Sequence, residues 1–317
     1  MPVTLAEAAN NATDDVSVEV INEFRTNQLL DLLTFDDVVN PAGGGATLTY
    51  GYRRLSTLGT AAFRALNTEY VPSEVTTTKH SVDLKVLGGS FQVDRVIAKI
   101  GASASGAVAL NMQQKIEAAR ATFGDAFING DSTVDDDEFD GLDKMLAGST
   151  TEVTTEVDWQ GGMDEAKSFQ IMDDLDTFLA LLDGQPGAII SNRLAIAKIR
   201  AAVRRTNMYT TSVGPLGETR ESYGNIRLID AGKKAGTNTD VIPVTAGSTQ
   251  IYAARFGLDG LHGVSVVGGE LVSQWLPDFS TPGAVKTGEV EIGPIAVVLK
   301  KTKAAGVLRD VQIAPAV

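Results

Sequence analysis

The chain has 317 residues, 43% of them hydrophobic, no cysteine, and 40 acidic against 27 basic side chains, for a formal net charge of −13. That length buries a sizeable core, while the lack of cysteine excludes disulfides, thiolate nucleophiles and cysteine-ligated zinc. The acidic balance repels nucleic-acid phosphate over most of the surface, and no stretch approaches the roughly 18 apolar residues that a membrane-spanning helix needs. The opening MPVTLAEAANNATDD lacks the basic start and apolar run of a secretory signal, so cytoplasmic synthesis with no membrane partner is expected.

Residues 1–45 read as a polar, acidic arm. Its one amphipathic stretch, Val16 to Val39, carries Val20, Phe24, Leu29, Leu30 and Leu33 at helical spacing and ends in the breaker Asn40 to Gly45. From Thr47 the period changes to two. Leu48, Tyr50 and Tyr52 fall on one face, as do Val82, Leu84 and Val86 in the run Val75 to Val93. Two long strands are expected, separated by the turn-rich segment Arg53 to Pro72, which reads as poor in large apolar residues. A hairpin over 46–93 follows, and two strands alone bury too little to stand in water, so it needs a further surface to lie on.

A long helix is expected over about Ser105 to Ile128, where Val108, Met112, Ile116, Ala119, Phe123 and Phe127 recur at spacings of four and three. At 1.5 Å per residue it spans about 36 Å, enough to act as a strut across a domain. It ends at Asn129-Gly130-Asp131, before the acidic loop Asp135 to Asp140 and the short apolar segment Leu142 to Leu146. A threonine-rich stretch, Gly148 to Thr155, marks a boundary. Beyond it come a helix over Asp164 to Leu182, a buried strand at Ala188 to Ile190, and a basic helix from Asn192 to Arg205 with Ser191 as its expected N-cap. Short strands follow at Ile226 to Ile229, Ile251 to Phe256 and Val264 to Val267, then longer ones at Val290 to Leu299 and Val307 to Ile313. Trp159 and Trp275 read as core residues. The fold class is α+β.

This order of elements, with Glu117 to Asp131 (EAARATFGDAFINGD) followed by Phe139-Asp140-Gly141-Leu142, resembles the HK97-fold major capsid proteins of tailed bacteriophages over nearly the whole chain. In that reading Gly130 ends the helix in a left-handed turn, and Phe139 and Leu142 pack the loop back onto it. The resemblance implies an N-terminal arm (1–45), an extended β-hairpin or E-loop (46–93), a peripheral domain with a spine helix (94–160), an axial domain (161–275) and returning peripheral strands (276–317). It also implies a subunit whose principal partner is itself, in hexamers and pentamers of an icosahedral virion shell around double-stranded DNA. Portal, scaffolding or decoration proteins are further implied partners, and packaged DNA is touched only weakly and non-specifically.

Subunit contacts are assigned from charge. Arg53, Arg54, Arg64 and Lys79 fall on the hairpin, Arg193, Arg200, Arg204 and Arg205 on the basic helix, and Asp135, Asp136, Asp137 and Glu138 in the acidic loop. Lys79 reads as a rim ion-pair partner. No catalytic, cofactor-binding or metal residue is assigned. His80 and His262 lack ligand spacing, the acidic run lacks EF-hand alternation, and no nucleotide or nucleophile-elbow motif occurs; Gly43 to Gly45 and Gly88-Gly89 read as hinges. Three rivals stand beside the capsid reading: an encapsulin-like compartment, a carboxylate-based hydrolase, and a tail or adhesion protein. The last would be rich in β-repeats and would lack a spine helix.

Overall fold

The computed structural model describes residues 29–38, 47–99, 102–206, 209–213, 219–266 and 271–314. Fourteen strands and four α-helices occur among them. The strands are β1 (Phe35–Val38), β2 (Thr49–Thr57), β3 (Thr76–Asp83), β4 (Lys85–Asp94), β5 (Glu152–Thr154), β6 (Ala188–Ser191), β7 (Tyr209–Val213), β8 (Thr219–Tyr223), β9 (Ile226–Asp230), β10 (Ser248–Ala254), β11 (Leu261–Val266), β12 (Val272–Trp275), β13 (Val285–Leu299) and β14 (Ala305–Gln312). The helices are α1 (Ala102–Asn129), α2 (Leu142–Leu146), α3 (Glu165–Ala180) and α4 (Arg193–Arg205).

The strands form three sheets. The five-stranded sheet is built on β13, with β4 antiparallel along one edge, β11 and β12 in succession along the other, and β1 parallel to β11. A seven-stranded sheet runs β5-β14-β10-β6-β9-β8-β7, so β13 and β14, though consecutive, serve different sheets. The third sheet is β2 with β3 alone.

The long helix forms as its period requires. Met112, Ala119, Phe123 and Phe127 are buried, the upper part on Phe91, Val93 and Val290, the lower part among Leu142, Leu146, Tyr252 and Val298. Phe139 packs on Phe123 with ring centroids 5.6 Å apart, which returns the loop to the helix. Gly130 does not take the expected left-handed turn. It is required by crowding instead: a Cβ there would lie 2.3 Å from the Phe139 carbonyl and 2.5 Å from that of Ala126. Gly88-Gly89 is likewise no hinge but the middle of β4, where a Cβ on Gly88 would meet the Val290 carbonyl at 2.5 Å.

On the seven-stranded sheet, α3 and α4 bury Ile171, Leu175, Phe178, Ile199 and Val203 around Trp159. Asp164 caps α3 by accepting from the Lys167 N–H at 2.7 Å. The cap of α4 is Asn192, not Ser191. Asn192 Oδ1 accepts from Ala195 N–H at 2.9 Å while its amide donates to Thr249 Oγ1 at 2.6 Å, and Ser191 ends β6 with its hydroxyl on the Gln250 carbonyl. Such a cap is worth about 1 kcal/mol.

Two expectations at the N-terminal side change. Leu29 to Val38 is not helical: Leu30–Leu32 is a single 3-10 turn and Phe35–Val38 a strand, because Leu29, Leu30 and Leu33 bury themselves in the main core without a helix. Val20, Phe24 and the glycines at 43–45 lie outside the described residues. The run Val75 to Val93 is not one strand either. It divides at buried Leu84, and the inward phase passes from Val82 and Leu84 to Leu87, Phe91 and Val93. That one-residue slip turns Val86 outward and hands the chain from the hairpin to the main sheet.

Candidate functional site

The two-stranded sheet has a seated root and an uncovered tip. At the root, alternate residues of β2 face the body of the same subunit. Tyr50 donates its hydroxyl to Asp36 Oδ2 at 2.8 Å, Tyr52 donates to the Leu299 carbonyl at 3.3 Å, and Arg54 donates to the carbonyls of Leu299 and Lys300 at 2.6 and 2.8 Å. Lys300 lies 5.3 Å above the Tyr50 ring and 3.7 Å from Asp36, and Arg54 lies over Tyr52. Burial, then the Asp36 hydrogen bond, pushes the Tyr50 phenol far above its ordinary value, so it remains a donor across the working pH range.

The two histidines belong to this root. Tyr52 stacks on His80 at 5.4 Å and Tyr50 meets His262 edge-on at 5.9 Å, so four rings form a chain from the hairpin to β11. His262 is fully buried, and neither ring nitrogen has a well-formed hydrogen bond among the described residues. Burial, then Lys300, lowers its pKa and holds it neutral.

Beyond Thr57 the chain has no regular structure until Thr76, and its large apolar side chains point to solvent. Phe63 is fully exposed, Leu66 90% and Val71 88%, with Leu55, Leu58, Tyr70 and Val75 also exposed. The segment is thus richer in large apolar residues than its turn-like composition suggests. Burying a Leu or Phe is worth about 1.5–3 kcal/mol, and that gain is unrealised for these exposed side chains.

The predicted contact residues are dispersed. Arg53 and Lys79 are exposed directly opposite one another on the outer face of the hairpin, and no ion pair of either is found among the described residues. Like charges so placed disfavour the isolated strand pair. Arg54 differs: it is spent on the root of its own subunit. Arg64 lies over Tyr70 and donates to the Ala65 and Thr68 carbonyls, bracing the tip. Arg193, Arg204 and Arg205 are exposed on α4, and Arg200 is half-buried. Trp159 is buried as expected, whereas Trp275, on the short edge strand β12, is half exposed beside exposed Leu276.

In the acidic loop Asp135, Asp136 and Asp137 face solvent, and the Asp136 carbonyl accepts from Lys85. The inner carboxylates are closed by Lys144, 2.6 Å from Asp131 and 2.8 Å from Asp140. The Lys144 hydrogen bond holds Asp131 down at about 2. Burial, then the negative charges of Asp135 and Asp125, raises Glu138. No group of three or more potential metal ligands occurs among the described residues. Nor is any described helix long and apolar enough to cross a membrane.

Neither a protein-family model nor a curated protein sequence matches the chain. Solved structures do. A holo-SrpI encapsulin complex from Synechococcus elongatus PCC 7942 is 15% identical with a TM-score of 0.62, the match covering 99% of this chain and 97% of that one. The capsid of a native GTA particle is 13% identical with a TM-score of 0.61 over 97% of this chain and 98% of that one. A Microbacterium phage Oxtober96 chain is 14% identical with a TM-score of 0.60 over 98% and 99%. The chain therefore has the HK97-like fold of phage capsid proteins, mixed helix and sheet throughout.

Proposed function

We propose that this chain is a major capsid protein: a non-enzymatic subunit that assembles into hexamers and pentamers of an icosahedral phage shell around double-stranded DNA. The observation that carries the reading is the hairpin, whose root is fixed to its own subunit while Phe63, Leu66 and Val71 are left in water. A second copy is the natural cover, because a shell presents the same receiving surface to every subunit. In this reading Arg53, Arg64 and Lys79 reach a neighbour, as do Arg193, Arg200, Arg204 and Arg205 of α4 and the loop Asp135, Asp136, Asp137 and Glu138. Arg54 holds the hairpin in place. The arm, hairpin, peripheral and axial divisions at 45, 93, 160 and 275 belong to the same reading. Portal, scaffolding or decoration proteins are its further partners, DNA contact is weak, and the protein is made in the host cytoplasm and resides in the virion.

The test is assembly. The purified chain, viewed by electron microscopy and mass photometry, is expected to give closed particles of many megadaltons. A triple substitution, Phe63→Ser, Leu66→Ser and Val71→Ser, should leave the melting temperature of the subunit unchanged and abolish the particles. A chain that stays monomeric under all assembly conditions would refute the proposal. The likeness to an encapsulin favours a second reading, a protein-filled compartment with the same shell chemistry. The contents of particles from the native source separate the two: nuclease-protected DNA for a capsid, protein cargo for a compartment.

A further inference from the structure

We infer that copies of this chain join head to tail through the helix layer of the seven-stranded sheet, the basic face of α4 on one copy entering the acidic groove beside α3 on the next. The inference rests on the self-assembly reading and adds to it a second contact, separate from the hairpin.

The two helices pack on each other and extend toward different edges of the sheet. α3 packs on β14, next to the edge strand β5, whereas α4 packs on β9 and β7, toward the other edge. Beside α3 a groove of about 770 Å³ is lined by Glu156, Asp158, Asp164, Asp173 and Asp174, with Lys167 the only basic side chain in its lining. Much of that charge is already engaged: Lys167 pairs with Asp158 at 3.4 Å, Asp164 caps α3, and Asp174 accepts from Thr155 and from the Trp159 indole. Glu156 and Asp173 are left exposed, with no hydrogen bond or ion pair among the described residues.

At the other end, Arg193, Arg204 and Arg205 are exposed on α4 and make no ion pair among the described residues. The same face carries Leu194, 57% exposed, with Ala197 and Ala201 at helical spacing, while Phe169 stands half exposed on α3 next to the groove. The groove beside α3 is thus predominantly acidic and the exposed face of α4 basic, and each has an exposed apolar residue, Phe169 or Leu194, on its helix. Two copies meeting through one end alone, across a two-fold axis, would set like against like. A rotation that brings the α4 end of one copy to the α3 end of the next sets opposite charges together, and such heterologous contacts close into rings. Contacts of this kind steer association and weaken as salt screens them beyond roughly 10 Å.

Reciprocal charge reversal in the full chain tests this. Arg204→Glu with Arg205→Glu, and separately Glu156→Lys with Asp173→Lys, should each raise the protein concentration needed for half-assembly at least tenfold. All four changes in one chain should restore it, because the complementarity is then merely inverted. All substituted positions are exposed, and unchanged melting temperatures verify the fold. Should a reversal misfold, Arg204→Gln with Arg205→Gln together with a salt titration of the natural chain takes its place, both expected to weaken assembly. Particles forming as readily from each reversed chain as from the natural one, or reversals that the fourfold variant does not rescue, would overturn the inference while leaving the shell reading intact. Failure of the natural chain to assemble would instead remove the shell reading itself.

Discussion

The hairpin β2–β3 and the strand pair β10–β14 are both antiparallel ladders, yet they meet opposite fates. In the second, Ile251, Tyr252, Ala253 and Ala254 face Leu308, Val307, Gly306 and Ala305 across the register with almost no exposure, covered on both faces. In the first, only Tyr50, Tyr52, Arg54, His80 and Val82 turn toward protein. Hydrogen-bonded pairing thus supplies shape in both places, but burial of side chains decides which ladder is self-sufficient. The hairpin has the geometry of a strand pair without the energetics of one.

The comparison breaks most visibly under truncation. Phe127→Ala, in the fully buried core, should cost about 3–5 kcal/mol in urea denaturation, whereas Phe63→Ala at the tip should leave subunit stability within about 0.5 kcal/mol. Gly130→Ala, which drives a methyl into two carbonyls, should cost about 1–3 kcal/mol by the same measurement. Tyr50→Phe should cost about 1 kcal/mol, and amide hydrogen exchange should quicken in β2 and β3 while β10 is unaffected.

The smallest effect is the pH dependence from His262. Its folded pKa lies below the ordinary 6.5, so the unfolded chain takes the proton first as pH falls. The associated stability is fully present above about pH 6.5 and is lost as pH drops from there through the folded value. His262→Phe should flatten that slope in thermal melts recorded between about pH 7 and 5.

The long elements were legible because one residue pattern fixed each of them. The three-and-four spacing from Val108 to Phe127 predicts α1, and Asp164 and the Ile171-Leu175-Phe178 stripe predict α3. What escaped depends on distant partners. β12 is four residues long and exists because Glu289 to Ile292 pairs with it. The division at Leu84 is invisible to alternation, since Val82, Leu84 and Val86 keep one phase in sequence while the chain changes sheets. Ser191 and Asn192 are both good caps, and distant partners select the second: Thr249 and the Ile242 carbonyl hold the Asn192 amide, while the Gln250 carbonyl takes the Ser191 hydroxyl. Of the candidate surface, the basic residues of α4 were readable, but the exposed apolar tip of Phe63, Leu66 and Val71 was not, because scattered among turn residues they form no periodic stripe and the segment reads as poor in large apolar residues.

The fifteen-residue strand β13 gives the hairpin a mechanical footing. Tyr52 and Arg54 grip the carbonyl at its C-terminal residue, Leu299, and β4, one residue beyond the end of β3, runs back along most of its length from Ile295 to Val285. A pull that reaches β4 along its own axis loads the rungs of that ladder side by side in shear instead of peeling them open one after another. A hairpin that buries little of its own side-chain surface is in this way tethered to the longest strand among the described residues.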